Sequence, residues 1–270
     1  MMALSLATLG RTTEADGAMR RAFALSSNPL EHGFLSRMPP KIQSWASNLR
    51  DRLLAEGAFG GARFLATEAA ADDGCASRRV IAWADHYSGD DKTASAEFDA
   101  LWGGPCSDID NALMGGGISR IGLGDLKTAG ALLARSLSIA PDNTRAQMAQ
   151  GAVAYVGGDY AEAIRIYSEH MSALPPAGRI WSWGDFAIDN LGWSYYFTKN
   201  YPLADQTFRK LEAYGDGPRE ASALAGRGWV ALQQGRMAEA REFLARALIL
   251  APGLQVARAG LEAVQKSGHD

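Results

Sequence analysis

Small and apolar positions recur along the chain with a fixed period. Gly117 returns as Gly151, Gly124 as Gly158, Asp125 as Asp159, Leu126 as Tyr160, Ala129 as Ala163 and Pro141 as Pro175. Each pair is 34 residues apart. A period of that size predicts a repeat architecture. Each unit is a pair of helices that buries its apolar face only by stacking on its neighbours. Within a unit, glycine ends the first helix (A), a small residue lets the second (B) approach closely, and proline stops helix B.

The register extends over the whole sequence. A partial repeat occupies residues 1–27 and an aperiodic insertion residues 28–42, followed by repeats at about 43–74, 75–109, 110–143, 144–177, 185–218 and 221–254. An amphipathic helix over 255–266 closes the array. Such an end helix covers the last open apolar face. Gly10, Ala15 and Met19 fall on the second half of the pattern. The chain therefore opens in mid-repeat, which predicts a natural protein extending further toward the N-terminus. The insertion carries Pro39-Pro40 and no period, and reads as a loop or a short helix plus loop from Asn28 to Lys41. A shorter insertion, Pro176 to Gly184, carries Trp181 and Trp183.

The pattern resembles the tetratricopeptide repeat (TPR) family. Gly151, Gly158-Asp159-Tyr160, Ala163, Tyr167 and Pro175 fit its template, with His170 departing from it. Gly228, Gly235, Ala240, Leu244, Ala247 and Pro252 fit throughout. The resemblance implies an all-α fold, a right-handed α-solenoid of stacked antiparallel helical hairpins. It also implies a concave face lined by positions two, five, nine, twelve and thirteen of each A helix. Carried over, these are Arg79, Trp83, His86 and Tyr87 in the third unit and Met114, Ile118 and Ile121 in the fourth. The fifth gives Arg145, Met148 and Tyr155, and the sixth Phe186, Asp189, Trp193, Tyr196 and Phe197. The seventh gives Trp229, Leu232 and Gln233. Position nine alone supplies Trp83, Trp193 and Trp229, which in the family points outward. Large aromatics and arginine are typical binding anchors. The Lys/Asn/Arg clamp by which some TPR proteins grip a peptide carboxylate is absent from positions five and nine.

Composition narrows the rest. Apolar residues are 47% and charged residues 21%, so the chain can build a core and is not of disordered type. The net charge of −3 comes without a basic stripe, which disfavours nucleic acid and anionic membrane as partners. No apolar run is long enough for a membrane span or shaped as a signal peptide, so the expected setting is cytoplasmic. The composition suggests a bacterial chain.

Candidate chemistry is thin. His32, His86, His170 and His269 show no metal-ligand spacing, and there is no HExxH or GxSxG. Ser88-Gly89-Asp90-Asp91 reads as a helix end followed by an acidic N-cap. Gly115-Gly116-Gly117 is not a phosphate loop, because Arg120 stands at the third glycine position and no strand precedes it. Only Gly117 meets a packing need of the repeat, so this helix is expected to be the softest of the array. Cys75 and Cys106 flank one hairpin. A bridge needs Cα atoms within about 7 Å whereas packed helices lie about 8–10 Å apart, so two free thiols are expected.

These features predict no enzyme, no cofactor and no metal. They predict a scaffold or adaptor that binds a partner polypeptide in an aromatic-rich groove, with self-association through the incomplete first repeat as a further option. The alternative is the regulatory or substrate-guiding TPR portion of a larger enzyme or of a polysaccharide or protein export assembly. Carbohydrate stacking on the same rings is a third reading.

Overall fold

A computed structural model describes residues 6, 11–25, 39–69, 74–106, 108–170, 183–213 and 217–267. These residues form helices joined by turns, in two compact units, Met1–Asp142 and Asn143–Asp270. In the first unit the helices are α1 (Thr12–Leu25), α2 (Pro40–Ala55), α3 (Phe59–Ala69), α4 (Gly74–Tyr87), α5 (Asp91–Trp102), α6 (Ile109–Gly122) and α7 (Leu126–Ile139). In the second they are α8 (Thr144–Val156), α9 (Tyr160–His170), α10 (Trp183–Phe197), α11 (Tyr201–Glu212), α12 (Gly217–Gln233), α13 (Met237–Leu250) and α14 (Gln255–Ser267). From α2 onward, each helix in a unit packs on the next one in sequence, with smaller contacts to the next but one. That is the nearest-neighbour pattern of stacked antiparallel hairpins, and it is the all-α solenoid expected from the period.

The elements begin and end where the residues dictate. Asp90, Asp125, Asn143 and Asn200 cap helices by accepting from the backbone N–H three residues on, as at Asp90–Thr93 (3.1 Å). The A-to-B turns need a left-handed residue, and Gly57, Gly89, Gly124, Gly158 and Gly235 supply it with φ between 74° and 85°. In the sixth repeat the same place is held by Lys199, at φ 61°. An L side chain is strained there, so Lys199→Gly raises stability by roughly 0.5–1 kcal/mol. Chemical denaturation checks this, and an unchanged or lower midpoint contradicts it. Helix α2 starts at Pro40, inside the stretch read as an insertion, because Pro39 adopts an extended backbone and Pro40 takes the first-turn place that tolerates proline. Residues 28–38 of the first insertion and 176–182 of the second, with Trp181, lie outside the described residues, as do His32 and His269.

Core positions are those of the repeat. Ala62, Ala94, Ala129, Ala163, Ala204 and Ala240 are fully buried where helix B meets helix A. Phe98, Leu133, Tyr167, Phe208 and Leu244 fill the space beside them. Arginines tie successive helices together: Arg63 to Asp85 at 2.6 Å, Arg120 to Asp99 at 2.6 Å and Arg227 to Asp205 at 3.0 Å.

Two expectations are corrected. Cys75 and Cys106 form a disulfide rather than two free thiols, with Cα atoms 5.6 Å apart. Cys75 lies in the first turn of α4 and Cys106 in the coil before α6, where the chain turns back over the helix end. The helix-to-helix spacing that argued against a bridge does not apply to coil. Gly115 is also compensated. A Cβ there would sit 2.4 Å from the Phe98 ring, so its absence admits the ring of the preceding helix B. One of the two glycines behind the soft-joint expectation for α6 is thereby accounted for, and Gly116 is not. A Cβ on Gly116 would meet Arg120 Nη1 at 3.3 Å, a contact that a flexible side chain relieves.

Candidate functional site

Tryptophan at position nine faces inward in the first two instances, not outward. Trp83 is 4% exposed and Trp193 8%. The Trp83 ring meets Phe98 edge-on at 4.9 Å, and Trp193 meets Phe208 likewise at 5.3 Å. The indole N–H of Trp83 donates to Asn111 Oδ1 on α6 at 3.1 Å. Trp229 is half-buried, and its N–H donates to the Val256 carbonyl on α14 at 2.9 Å. The inward turn has a physical cause. The Phe in helix B packs T-shaped against the indole, and a glycine in the following A helix (Gly115 or Gly226) makes room for the Phe. Met114 and Met148 are likewise buried, so they belong to the core and not to a partner-facing surface.

Other candidates are tethered. Arg79 pairs with Asp108 beside the disulfide, at the mouth of a small depression lined by Cys75, Leu101, Cys106 and Ala112. His86 Nδ1 lies 2.6 Å from Asp91 Oδ1. Tyr87 stacks on Phe59 at 5.2 Å. Arg145 is partly buried, as are Ile118 and Ile121. Leu232 is buried, while Gln233 is exposed.

What remains open to solvent lies mostly on α10. Phe186 is 70% exposed and Phe197 45%. Phe186, Asp189, Trp193, Tyr196 and Phe197 follow one another at steps of three, four, three and one, which puts them along one helix face. Rings from neighbouring helices continue the strip. Tyr160 stacks on Phe197 at 4.6 Å and touches Tyr155 at 5.9 Å. Tyr196 meets Phe197 at 5.4 Å, Tyr201 at 5.9 Å and Trp229 at 6.4 Å. The strip thus crosses α8 to α12 within the second unit. Tyr160 and Tyr201 were not among the residues read as partner-facing. Both stand at position seventeen, where the repeat template reads them only as turn residues. Phe59, at the same position in the second repeat, stacks on the position-thirteen Tyr87 as Tyr160 stacks on Phe197.

The electrostatics of the strip are set by burial. It pushes the Tyr155 phenol up to about 12, helped by the Asp189 charge, and also raises Tyr196. Burial likewise pushes the Asp189 carboxyl up to about 6, against the opposing hydrogen bonds of Ser222 and Trp193. Ser222 on α12 donates to Asp189 Oδ1 at 2.8 Å. Among the described residues no three His, Cys, Asp or Glu gather in a way that could hold a metal ion. No described helix is long and apolar enough to cross a membrane. The arrangement offers large apolar ring area around a single carboxyl.

Comparison with known proteins agrees with the geometry. A family model described as tetratricopeptide repeat matches residues 116–177 and 190–254. No curated protein matches the sequence. Among solved structures, the chain is similar to a tetratricopeptide repeat protein from Parabacteroides merdae ATCC 43184, with TM-score 0.64 and 16% identity, covering 98% of this chain and 96% of that one. It is also similar to a chain of the APC/C hetero-tetramer Cut9-Hcn1, with TM-score 0.70 and 16% identity, covering 82% of this chain and 42% of that one. At these identities the likeness is one of fold.

Proposed function

The chain is a tetratricopeptide-repeat protein, and from that premise we propose that it is a non-enzymatic scaffold or adaptor holding a partner polypeptide against the aromatic strip of its second unit. One observation carries the reading: Phe186 and Phe197 stand 70% and 45% exposed on one face of α10, in line with partly buried tyrosines. Exposed large apolar groups in a contiguous patch mark interaction surfaces. Rigid rings are the side chains that carry binding energy at low entropic cost. Structural tryptophans beneath them keep the rings in place. The binding residues are then Phe186, Tyr196, Phe197, Tyr155 and Tyr160, with Trp193 and Trp229 as supports. In the first unit Arg79 and Tyr87 remain candidates at the edge of the corresponding Phe59–Tyr87 stack.

The test is affinity capture from a lysate of the source organism with wild type and Phe186→Ser/Phe197→Ser. Both residues are exposed, so circular dichroism of the variant is expected to match wild type. A polypeptide captured by wild type, absent with the variant and rebound in purified form supports the reading. Undiminished capture by the folded variant moves the site elsewhere.

A further inference from the structure

We propose that Asp189 and the rings around it form a cation-accepting subsite, which takes a lysine or arginine side chain of the partner polypeptide. The proposal rests on the reading of the α10 strip as the partner-binding face. Asp189 lies three residues after the exposed Phe186 and four before the buried Trp193, on the same face of α10, and is itself half-buried. Its surroundings differ from those of four other carboxylates that bridge helices. Asp85, Asp99, Asp108 and Asp205 each pair with an arginine. Asp189 accepts from the Ser222 hydroxyl at 2.8 Å, and among the described residues it has no lysine or arginine partner.

A carboxylate drawn out of water without a counter-charge is held in an unfavourable state, and burial has raised this one to about 6. An incoming ammonium or guanidinium supplies the missing charge. An anionic side chain at the same place would face the carboxylate and is rejected. The subsite is therefore opposite in charge to a clamp for a peptide carboxylate. With Phe186 one turn away, the fitting partner sequence has a basic residue close to an apolar one.

The experiment is selection of a random dodecapeptide display library on the full chain, wild type against Asp189→Asn. Asparagine keeps the shape and the acceptor for Ser222, so the fold is retained. Ser222→Ala removes the hydrogen bond but not the charge and serves as the structural control. The expected result is enrichment of peptides with a fixed Lys or Arg near an apolar residue, on wild type and on Ser222→Ala, but not on Asp189→Asn. In a synthetic peptide from that pool, Lys→Gln weakens binding to wild type roughly tenfold and leaves binding to Asp189→Asn unchanged. Enriched peptides with no fixed basic position overturn the subsite and leave the aromatic face standing. The same holds if Lys→Gln costs as much on Asp189→Asn as on wild type. A library from which nothing enriches on wild type overturns both.

Discussion

Reduction of the Cys75–Cys106 disulfide lowers the stability of the first unit by about 3–4 kcal/mol, the chain-entropy value for a loop of this size. The two cysteines are 31 residues apart and enclose α4 from its first turn on, the turn after it and α5. Opening the bridge releases that whole hairpin in the unfolded chain. In the folded chain it removes the link between the start of α4 and the coil leading into α6. The measurement is a pair of thermal melts with and without a phosphine reductant, on wild type and on Cys75→Ala/Cys106→Ala. The wild-type midpoint falls with reductant, and the variant starts near the lower value and does not respond. A wild-type midpoint indifferent to reductant rejects a stabilising bridge.

The bridge also bears on where the protein works. Structural disulfides persist in oxidising compartments and are rare in the cytosol. These two are the only cysteines of the chain. Thiol labelling of the native protein under denaturing conditions therefore separates the settings. No labelled thiol favours an oxidising compartment, against the cytoplasmic expectation, and two labelled thiols favour the cytoplasm.

Much of this fold was legible because its determinants are local and periodic. Gly124, Gly158 and Gly235 mark turns because only one backbone shape fits there, and Ala129, Ala163 and Ala204 mark the close approach of two helices. The disulfide was not legible, because it depends on a coil, and a coil has no period from which to place Cys106. The tryptophans misled for a related reason. A template states which way position nine points in an average repeat, but Trp83 and Trp193 turn inward because of partners on two other helices. Those partners are Phe98 and Gly115 in one case, Phe208 and Gly226 in the other. Phe186 and Phe197, which the template also turns toward the groove, stay exposed on α10.

That packing makes a quantitative prediction around Phe208. Its ring is fully buried and lies between two glycines on two helices. A Cβ on Gly192 would stand 2.6 Å from the ring, and one on Gly226 2.4 Å. Phe208→Ala is expected to cost about 3–5 kcal/mol, the range for deleting a buried ring. Gly226→Ala alone overpacks the site and costs about 1–3 kcal/mol. The two do not add. Once the ring is gone, the new methyl has no clash and fills part of the cavity, and alanine gains up to about 1 kcal/mol over glycine within a helix. Gly226→Ala therefore turns from harmful to neutral or stabilising in the Phe208→Ala background. Urea unfolding of the four proteins, followed by far-ultraviolet circular dichroism, closes the cycle. Additive costs would show that the ring and the glycine do not depend on each other. A sign change shows that the glycine is there for the ring, which in turn holds Trp193 under the exposed aromatic face. The surface proposed to receive a partner is then supported from below by a residue buried beneath it.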